Sequence, residues 1–380
     1  MAIYLDNAAT TVQKPPAVAQ TVYEILSAEQ YGNPSRGAHG YSLAGYHQLE
    51  ATRTAVKKLF QAPATYEVAF TNNATVALNE VLKGLIKPGD HVLTTSWEHN
   101  SVLRPLYQLE AQGAMLDFIS SEPLTGQLRY AELEQKVRPE TRVVVCNHAS
   151  NVTGNLLDLD LVKTFCQQHG LYLVLDASQT AGVVPLDLSD DVIAAVCFTG
   201  HKSLYGPGGT GGAIVRKDLP LVPVLTGGDG MRSFSHTQPP ELPILLEPGT
   251  ANVAGLAGLR AGVDYVRTHF ETIQQTQTEL GAYFYAGLKQ IPGLTLYGDF
   301  DQPRVNVFAV NLKEADSALV SDLLWEESEI ATRPGYHCAP LIHEALGLKQ
   351  RGAVRFSLSS FTTKEDLAAA LQALKILSGS

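Results

Sequence analysis

The run RVVVCNH (142–148), a helical stretch that ends at Gly170, and the run LYLVLDA (171–177) decide the fold class. Both runs are almost continuously apolar, which is typical of strands that are buried on both faces of a sheet. Sheets covered on both faces are mostly parallel and alternate strands with helices. The segment therefore predicts one strand–helix–strand unit of an α/β protein.

The same alternation continues on both sides of this unit. VAF (68–70), HVLTT (91–95) and MLDFIS (115–120) are apolar runs that each precede a helical stretch, and VIAAVCF (192–198) is a further apolar run. We therefore expect an α/β fold whose large, mostly parallel sheet is flanked by helices.

The C-terminal part has a different pattern. A small-residue-rich helical segment at 248–262 and a long amphipathic helix at 271–288 are expected as separate elements. They are followed by strands at 294–297, 305–312 and 353–358 and by helices at 315–327 and from Lys364. This order predicts a smaller α+β C-terminal domain. The expected division is 1–20 as an N-terminal segment that packs with the small domain, 21–262 as the large domain and 263–380 as the small domain.

Composition excludes several classes of protein. The 380 residues are 45% apolar and 17% charged, which is unlike a disordered or fibrous chain. The net charge of −10, without a basic run, speaks against a nucleic-acid partner and against an anionic membrane surface. The sequence has no run of ~18 consecutive apolar residues, so no membrane span is predicted. The start of the chain does not have the pattern of a secretory signal. A cytoplasmic location is the expectation.

The four cysteines predict neither a disulfide framework nor a metal site, because they form no CxxC pair. Cys146, Cys166 and Cys197 lie in apolar runs and are expected to be buried packing residues. Cys338 lies among polar and turn-forming residues in RPGYHCAP (333–340). It is therefore the cysteine to consider for chemistry.

Polar side chains follow the predicted strands at their carboxyl ends, where ligands bind in open α/β sheets. They are His99, Asn147, His148, Asn151, Asp176, Thr199, His201 and Lys202. Each one taken alone could be a helix cap or a turn residue. Their joint position at strand ends favours a binding site.

Lys202 follows an apolar run in FTGHKSLYGPGG (198–209). A buried lysine loses its proton easily and becomes a nucleophilic amine that can form a Schiff base. Asp176 could then be the partner of a pyridinium nitrogen, and Asn73, Ala74 and Thr75 open a helix whose N–H groups could bind a phosphate. His99 could stack on the ring. These residues predict a site for pyridoxal 5′-phosphate.

The motifs LDNAATT, EHNS, SNVTG, LDASQTAG, TGHKSLYGPGG, EPGTANV and RPGYHCA occur in this order over residues 3 to 375. In this order the chain resembles class V pyridoxal-phosphate-dependent enzymes of aminotransferase fold type I, and in particular the cysteine desulfurases that have a short RxGxHCA segment. The run NNAT at 72–75 departs from the GTT- or GST-like run that this family leads us to expect. Ala74 can therefore offer only its backbone N–H.

The resemblance implies a set of cofactor-binding residues: Ala74, Thr75, His99, Asn151, Asp176, Gln179, Thr199, His201, Lys202 and Thr250. Lys202 would hold the cofactor covalently, and Asp176 and Gln179 would contact its ring nitrogen and phenolic oxygen. Ala74, Thr75, Thr199 and His201 would bind its phosphate. Thr250 would reach the phosphate in the neighbouring subunit, which implies a homodimer with shared sites.

The resemblance also implies the roles of the substrate-binding and catalytic residues. Asn151, Arg355, Arg333 and His337 would bind the substrate, with Arg355 as the clamp on its carboxylate. Lys202, Cys338 and His99 would be catalytic, and Cys338 would take the sulfur as a persulfide. Arg333 and His337 would also favour the thiolate of Cys338 by their positive charge.

The implied activity is that of a cysteine desulfurase, which converts L-cysteine to L-alanine. A selenocysteine lyase, another class V aminotransferase or another lyase of the same fold is the alternative, and an aminotransferase would not need Cys338. A catalytically inactive scaffold or sulfur-carrier partner is the alternative outside the enzymes. A sulfur-acceptor protein is possible, and iron–sulfur cluster assembly is one pathway that such an acceptor would serve.

Overall fold

A computed structural model describes residues 2–35, 37–230 and 232–379. Its strands are β1 Ile3–Tyr4, β2 Tyr66–Thr71, β3 His91–Thr95, β4 Met115–Ile119, β5 Thr141–Asn147, β6 Tyr172–Asp176, β7 Ile193–Thr199, β8 Gly211–Arg216, β9 Leu294–Tyr297, β10 Val307–Leu312, β11 Ile330–Ala331 and β12 Val354–Ser357. Its α-helices are α1 Pro16–Ser27, α2 Gly40–Leu59, α3 Ala74–Leu85, α4 Asn100–Glu110, α5 Glu132–Lys136, α6 Leu159–His169, α7 Val253–Leu288, α8 Ser317–Ser328, α9 Pro340–Ala345 and α10 Lys364–Ser378.

The large sheet has seven strands in the order β2-β8-β7-β6-β5-β3-β4. Strand β8 runs antiparallel to both of its neighbours, and the other neighbouring pairs are parallel. The predicted fold class, with a mostly parallel sheet flanked by helices, is therefore confirmed. The sequence analysis did not predict β8, which begins with Gly211 and Gly212. A Cβ at Gly212 would lie 2.4 Å from the carbonyl oxygen of Ala69, so a residue without a side chain is needed for β2 to pair there.

The unit β5–α6–β6 shows how local sequence positions the site. The Asp158 carboxylate caps α6 by accepting a hydrogen bond from the Leu161 N–H at 3.0 Å. Gly170 ends the helix in the left-handed conformation, with φ +63°. The chain then returns as β6, whose Asp176 pairs in register with Asn147 of β5. Two polar side chains are thus placed side by side at the carboxyl edge of the sheet.

The helical stretches predicted at 248–262 and 271–288 are both found, as two segments of α7 that meet at a kink. Helix α7 runs from Val253 to Leu288 and has non-helical backbone angles at His269 (φ −114°, ψ 17°). Helices α1 and α2 pack against it, and the Thr52 hydroxyl donates a hydrogen bond to the Leu256 carbonyl at 3.2 Å. The helix continues through the expected domain boundary at 262/263, and the division into domains stays a prediction.

The C-terminal region contains an antiparallel sheet in the order β12-β10-β9. Three buried rings, Phe284, Phe308 and Phe356, pack edge to face in the core beneath it. The start of the chain lies against this region, since β1 pairs in parallel with β11. Residues next to β1 are therefore brought beside the end of β12.

Cys146, Cys166 and Cys197 are buried, which confirms the prediction for these three, and Cys338 is exposed. Across the described residues, no helix combines the length and the apolar character that a membrane crossing requires.

Candidate active site

The carboxyl ends of β3, β5, β6 and β7 converge on a cavity of about 200 Å³. Twelve of the fourteen predicted site residues line it, namely Ala74, Thr75, His99, Asn151, Asp176, Gln179, Thr199, His201, Lys202, Arg333, His337 and Arg355. Cys338 and Thr250 lie outside this lining. A larger cavity of about 590 Å³ lies between α7 and the segment before β10, and no lysine, histidine, cysteine or carboxylate is among the described residues that line it. The smaller cavity is therefore the one equipped for chemistry.

Lys202 follows β7 and faces the charges of the cavity. Burial lowers the pKa of its amine to about 8. The negative charge of Asp176 raises this pKa in part, and the positive charges of Arg355 and Arg333 lower it further. At this pKa an appreciable fraction of the amine carries no proton near neutral pH. Lys202 is therefore suited to act as a nucleophile and as a base.

Asp176 ends β6, and only 3% of its surface is exposed. One of its oxygens, Oδ1, accepts hydrogen bonds from the Ser178 N–H at 2.9 Å and from the Ser178 hydroxyl at 2.5 Å. These bonds fix the orientation of the carboxylate at the wall of the cavity. Ser178 lines the cavity as well and was not among the predicted site residues.

His99 is the N-cap residue of α4, and its Nδ1 accepts a hydrogen bond from the Ser101 N–H at 3.1 Å. Burial lowers the pKa of His99 to about 4, so its ring is neutral at pH 7. The preceding residue, Glu98, is fully buried. Its Oε1 accepts hydrogen bonds from the Thr95 hydroxyl at 2.6 Å and from the Asn147 N–H at 3.0 Å. Glu98 thereby ties the ends of β3 and β5 together.

One end of the cavity is suited to an anion. Helix α3 begins at Ala74, and its cap Asn73 accepts a hydrogen bond from the Val76 N–H at 3.0 Å. The N-terminus of a helix carries a partial positive charge and N–H groups that bind anions. Thr199, next to it in the lining, is 4% exposed, and its hydroxyl oxygen has no hydrogen-bond partner in the described part of the chain.

His201 lies at the same end of the cavity. Its Nδ1 lies 2.9 Å from the Thr10 hydroxyl. Burial lowers the pKa of His201 to about 4, and the charges of Lys202 and Lys14 lower it further. The ring is therefore neutral at pH 7, and the positive charge at this end comes from the lysines.

Arg355 also lines the cavity and is 1% exposed. Its Nη2 donates to Asp6 Oδ1 at 2.9 Å and its Nη1 donates to the Asn151 carbonyl at 3.1 Å. Asp6 has no assigned role in the sequence analysis, although it belongs to the quoted motif LDNAATT. That motif was the available signal in the sequence.

Gln179 joins this wall to the start of the chain, because its Nε2 donates a hydrogen bond to the Ala8 carbonyl at 3.1 Å.

Thr250 lies elsewhere, in a second cavity of about 530 Å³. The ion pair between Arg53 and Glu247, at 2.6 Å, also lines that second cavity. Within one chain, Thr250 is thus separate from the other predicted cofactor residues.

Cys338 is exposed and directly follows His337, which lines the cavity. The resemblance predicted that His337 favours the Cys338 thiolate through a positive charge, and the structure corrects this. His337 is only 3% exposed, and burial holds its pKa well below the usual value for histidine. Its ring is neutral at pH 7, so of the two predicted flanking cations only Arg333 carries a charge.

An α/β sheet with a buried amine, a carboxylate and a helix N-terminus around one cavity is the architecture of aminotransferase-like enzymes. The chain belongs to the class-V aminotransferase family, whose family model matches residues 3–369.

Relatives with a named activity match over nearly the whole chain. A probable cysteine desulfurase from Synechocystis sp. is 32% identical and is matched over 98% of this chain and 90% of its own length. A cysteine desulfurase from Pectobacterium carotovorum is 33% identical over 99% of this chain and 94% of its own. The apo structure of a cysteine desulfurase from Thermococcus onnurineus superposes with a TM-score of 0.92 at 28% identity, and the match covers 100% of this chain and 95% of that one.

Proposed function

We propose that this chain is a cysteine desulfurase that converts L-cysteine to L-alanine with pyridoxal 5′-phosphate and keeps the sulfur on Cys338 as a persulfide. The observation that carries the proposal is an exposed cysteine one residue away from a cavity that is lined by a half-buried lysine and a buried aspartate. An aminotransferase needs no such thiol. The names of the relatives agree with this assignment.

The residues that line the cavity fit this cofactor. Thr199 Oγ1, Asn151 Oδ1, Arg355 Nε and His337 Nδ1 are buried and have no hydrogen-bond partner among the described residues. A buried polar atom without a partner costs about 1–3 kcal/mol, which a bound polar ligand can offset. All four residues line the same cavity, together with the first residues of helix α3. The arrangement suits a phosphate at the helix N-terminus and an amino-acid carboxylate at Arg355.

Each residue that lines the cavity then has a role in binding the cofactor or the substrate. Ala74, Thr75, Thr199 and His201 would hold the phosphate, and in a homodimer the partner subunit's Thr250 would complete its binding. Lys202 would hold the cofactor covalently, Asp176 would keep the ring nitrogen protonated, and Gln179 would contact the phenolic oxygen. His99 would stack on the ring as a neutral group. When bound, the cofactor stores the electron pair that the substrate releases with its α-proton.

The chain's own residues carry out the remaining steps. Arg355, with Asn151 and Arg333, binds the substrate carboxylate through charge-assisted hydrogen bonds. Once it is released from the cofactor, the Lys202 amine would take the α-proton. The Cys338 thiolate would attack the substrate sulfur, so that an S–S bond forms while the bond between the sulfur and Cβ breaks. Cβ would keep the electron pair of that bond and take a proton, and Cα would regain a proton from the Lys202 ammonium, which yields alanine.

We further propose a homodimer. Thr250 lies away from the cavity of its own chain, and large apolar side chains, including Tyr23, Leu26 and Tyr41, are more than half exposed on α1 and α2. Apolar side chains grouped on a surface favour a protein interface.

The four free cysteines suit a reducing cytoplasm. The exposed Cys338 would pass its sulfur to an acceptor protein, for which iron–sulfur cluster assembly is one destination.

The test is an assay of the purified protein with pyridoxal 5′-phosphate on L-cysteine and, in parallel, on L-selenocysteine. Alanine, released sulfide and protein-bound sulfur are all quantified. We expect alanine from L-cysteine in the same amount as the sum of the two forms of sulfur. Alanine from L-selenocysteine alone would make the chain a selenocysteine lyase. A protein that stays colourless with added cofactor and forms no alanine would support the scaffold alternative.

A further inference from the structure

We propose that the backbone N–H of Asn100 and the side chain of Asn151 lock the turn that carries Cys338, which makes Asn100 a positioning residue for the nucleophile. This inference rests on the proposed function, because it explains how the thiol is aimed at the substrate sulfur. Asn100 contributes through its backbone.

The turn has a backbone that must be held in place. His337 and Cys338 both have positive φ angles, +51° and +56°. Side chains other than glycine seldom adopt the left-handed region, and two such residues in a row are less favourable still. A conformation of this kind persists when its surroundings impose it.

Each of the two left-handed residues has its carbonyl oxygen bound by a different part of the cavity wall. The Asn100 N–H donates to the Cys338 carbonyl at 2.7 Å. The Asn151 Nδ2 donates to the His337 carbonyl at 2.8 Å, and this hydrogen bond is buried. The donors come from the start of α4, after β3, and from the loop after β5. The turn is thereby fixed to the carboxyl edge of the large sheet.

The same two donors are attached to groups that meet the cofactor and the substrate in the proposed function. Asn100 directly follows His99, and Asn151 accepts a hydrogen bond from Arg355 through its carbonyl at 3.1 Å. The start of the turn is bound to β12 as well, because Arg333 and Arg355 exchange backbone hydrogen bonds at 3.2 and 2.8 Å. The hydrogen bonds from Asn100 and Asn151 therefore set the position of the thiol relative to the cofactor ring and to Arg355, which binds the substrate carboxylate.

Asn100 allows a test that removes the backbone N–H donor, with a matched control that keeps it. Asn100 is the first residue of α4, where proline is favoured because its N–H is not used within the helix. His99 has φ −71° and ψ 155°, the extended conformation that a following proline requires. Asn100→Pro therefore deletes the hydrogen bond to Cys338 and suits the local backbone. Asn100→Ala is the matched control, since it loses the side chain and keeps the N–H.

In the kinetic experiment both variants are assayed on L-cysteine with cofactor bound. We expect Asn100→Pro to keep the cofactor absorbance and a KM within about twofold of wild type, while kcat falls at least about tenfold because the thiol is misplaced. Asn100→Ala should stay within about twofold in both constants. Equal kcat values for the two variants would overturn the inference. Wild-type protein that makes no alanine would instead refute the proposed function.

The second readout needs neither cofactor nor substrate. Hydrogen–deuterium exchange of cofactor-free protein should be faster over 333–339 in Asn100→Pro than in Asn100→Ala, because the turn has lost one anchor. Identical exchange would contradict the inference. Should Asn100→Pro not fold, His337→Val and His337→Asn replace the pair. Valine resists positive φ and asparagine tolerates it, so exchange over the turn should be faster in the valine variant, and equal rates would refute the lock.

Discussion

Lys202 and Cys338 are the two nucleophiles of the proposed reaction, and the structure prepares them in different ways. Lys202 lines the cavity at the carboxyl edge of the large sheet, and burial lowers the pKa of its amine to about 8. Cys338 is exposed, and its preparation is geometric, through a left-handed turn bound at both carbonyls. The pKa of the amine thus depends on its burial, whereas the thiol depends on its placement by the turn and stays exposed.

The largest effect is expected from removing the buried amine. Lys202→Ala should abolish the absorbance of covalently held cofactor and all turnover of L-cysteine, because no other group in the cavity can replace the amine. Lys217→Ala is the control, since Lys217 is half exposed and pairs with Glu67 at 3.7 Å. A Lys202→Ala protein with full activity would place the cofactor somewhere else. The measurement is the visible spectrum together with alanine formation.

The second-largest effect is expected from removing the negative charge of Asp176. Asp176→Asn is expected to bind the cofactor and to lower kcat at least about tenfold, since an amide does not keep the ring nitrogen protonated. The amide oxygen can still accept from the Ser178 N–H, which preserves the local turn. An unchanged kcat would mean that Asp176 serves only to end the strand. Steady-state kinetics at saturating cofactor decide between these results.

A smaller effect is expected at the phosphate end. Thr199→Val keeps the shape of the side chain and removes a hydroxyl that has no partner among the described residues. We expect the dissociation constant of the cofactor to rise about tenfold, which corresponds to one hydrogen bond to a charged group. The Tm of the cofactor-free protein should not fall, because no internal bond is lost. A lower Tm with unchanged affinity would contradict this assignment of Thr199.

The smallest effect is expected from a change of pH. The free amine is the nucleophile, and it prevails above the pKa of Lys202, whereas the protonated form prevails below it. The initial rate at which cofactor-free protein captures pyridoxal 5′-phosphate should therefore rise with pH and reach half its maximum near pH 8. A midpoint near the usual lysine value of 10.5 would show that burial does not activate this amine. The rate is followed by the visible absorbance of the bound cofactor.

Much of this structure could be predicted from the sequence, for a physical reason. Continuous apolar runs such as those of β5 and β6 occur where a strand is buried on both faces, and polar residues at their ends then meet at one edge of the sheet. This is why Asp176, Thr199 and Lys202 could be placed together. β8 was missed because its glycines, which strand packing requires here, are typical of loops.

The features that the sequence did not predict depend on tertiary contacts. Pairing of β1 with β11 brings Asp6 to Arg355, over a separation of about 350 residues. The neutral state of His337 follows from burial, which its polar neighbours in the sequence do not indicate. The anchor at Asn100 is a backbone N–H, which every residue other than proline possesses, so no residue type marks it.

The central claim is that Cys338 receives the sulfur, and one measurement tests it most directly. Alanine formation from L-cysteine is compared between wild type and Cys338→Ser, with cofactor spectra recorded in parallel. Cys338→Ser should bind the cofactor and show the spectral change on addition of L-cysteine, yet form almost no alanine, because a hydroxyl does not attack the substrate sulfur. Alanine formation at the wild-type rate would contradict the account.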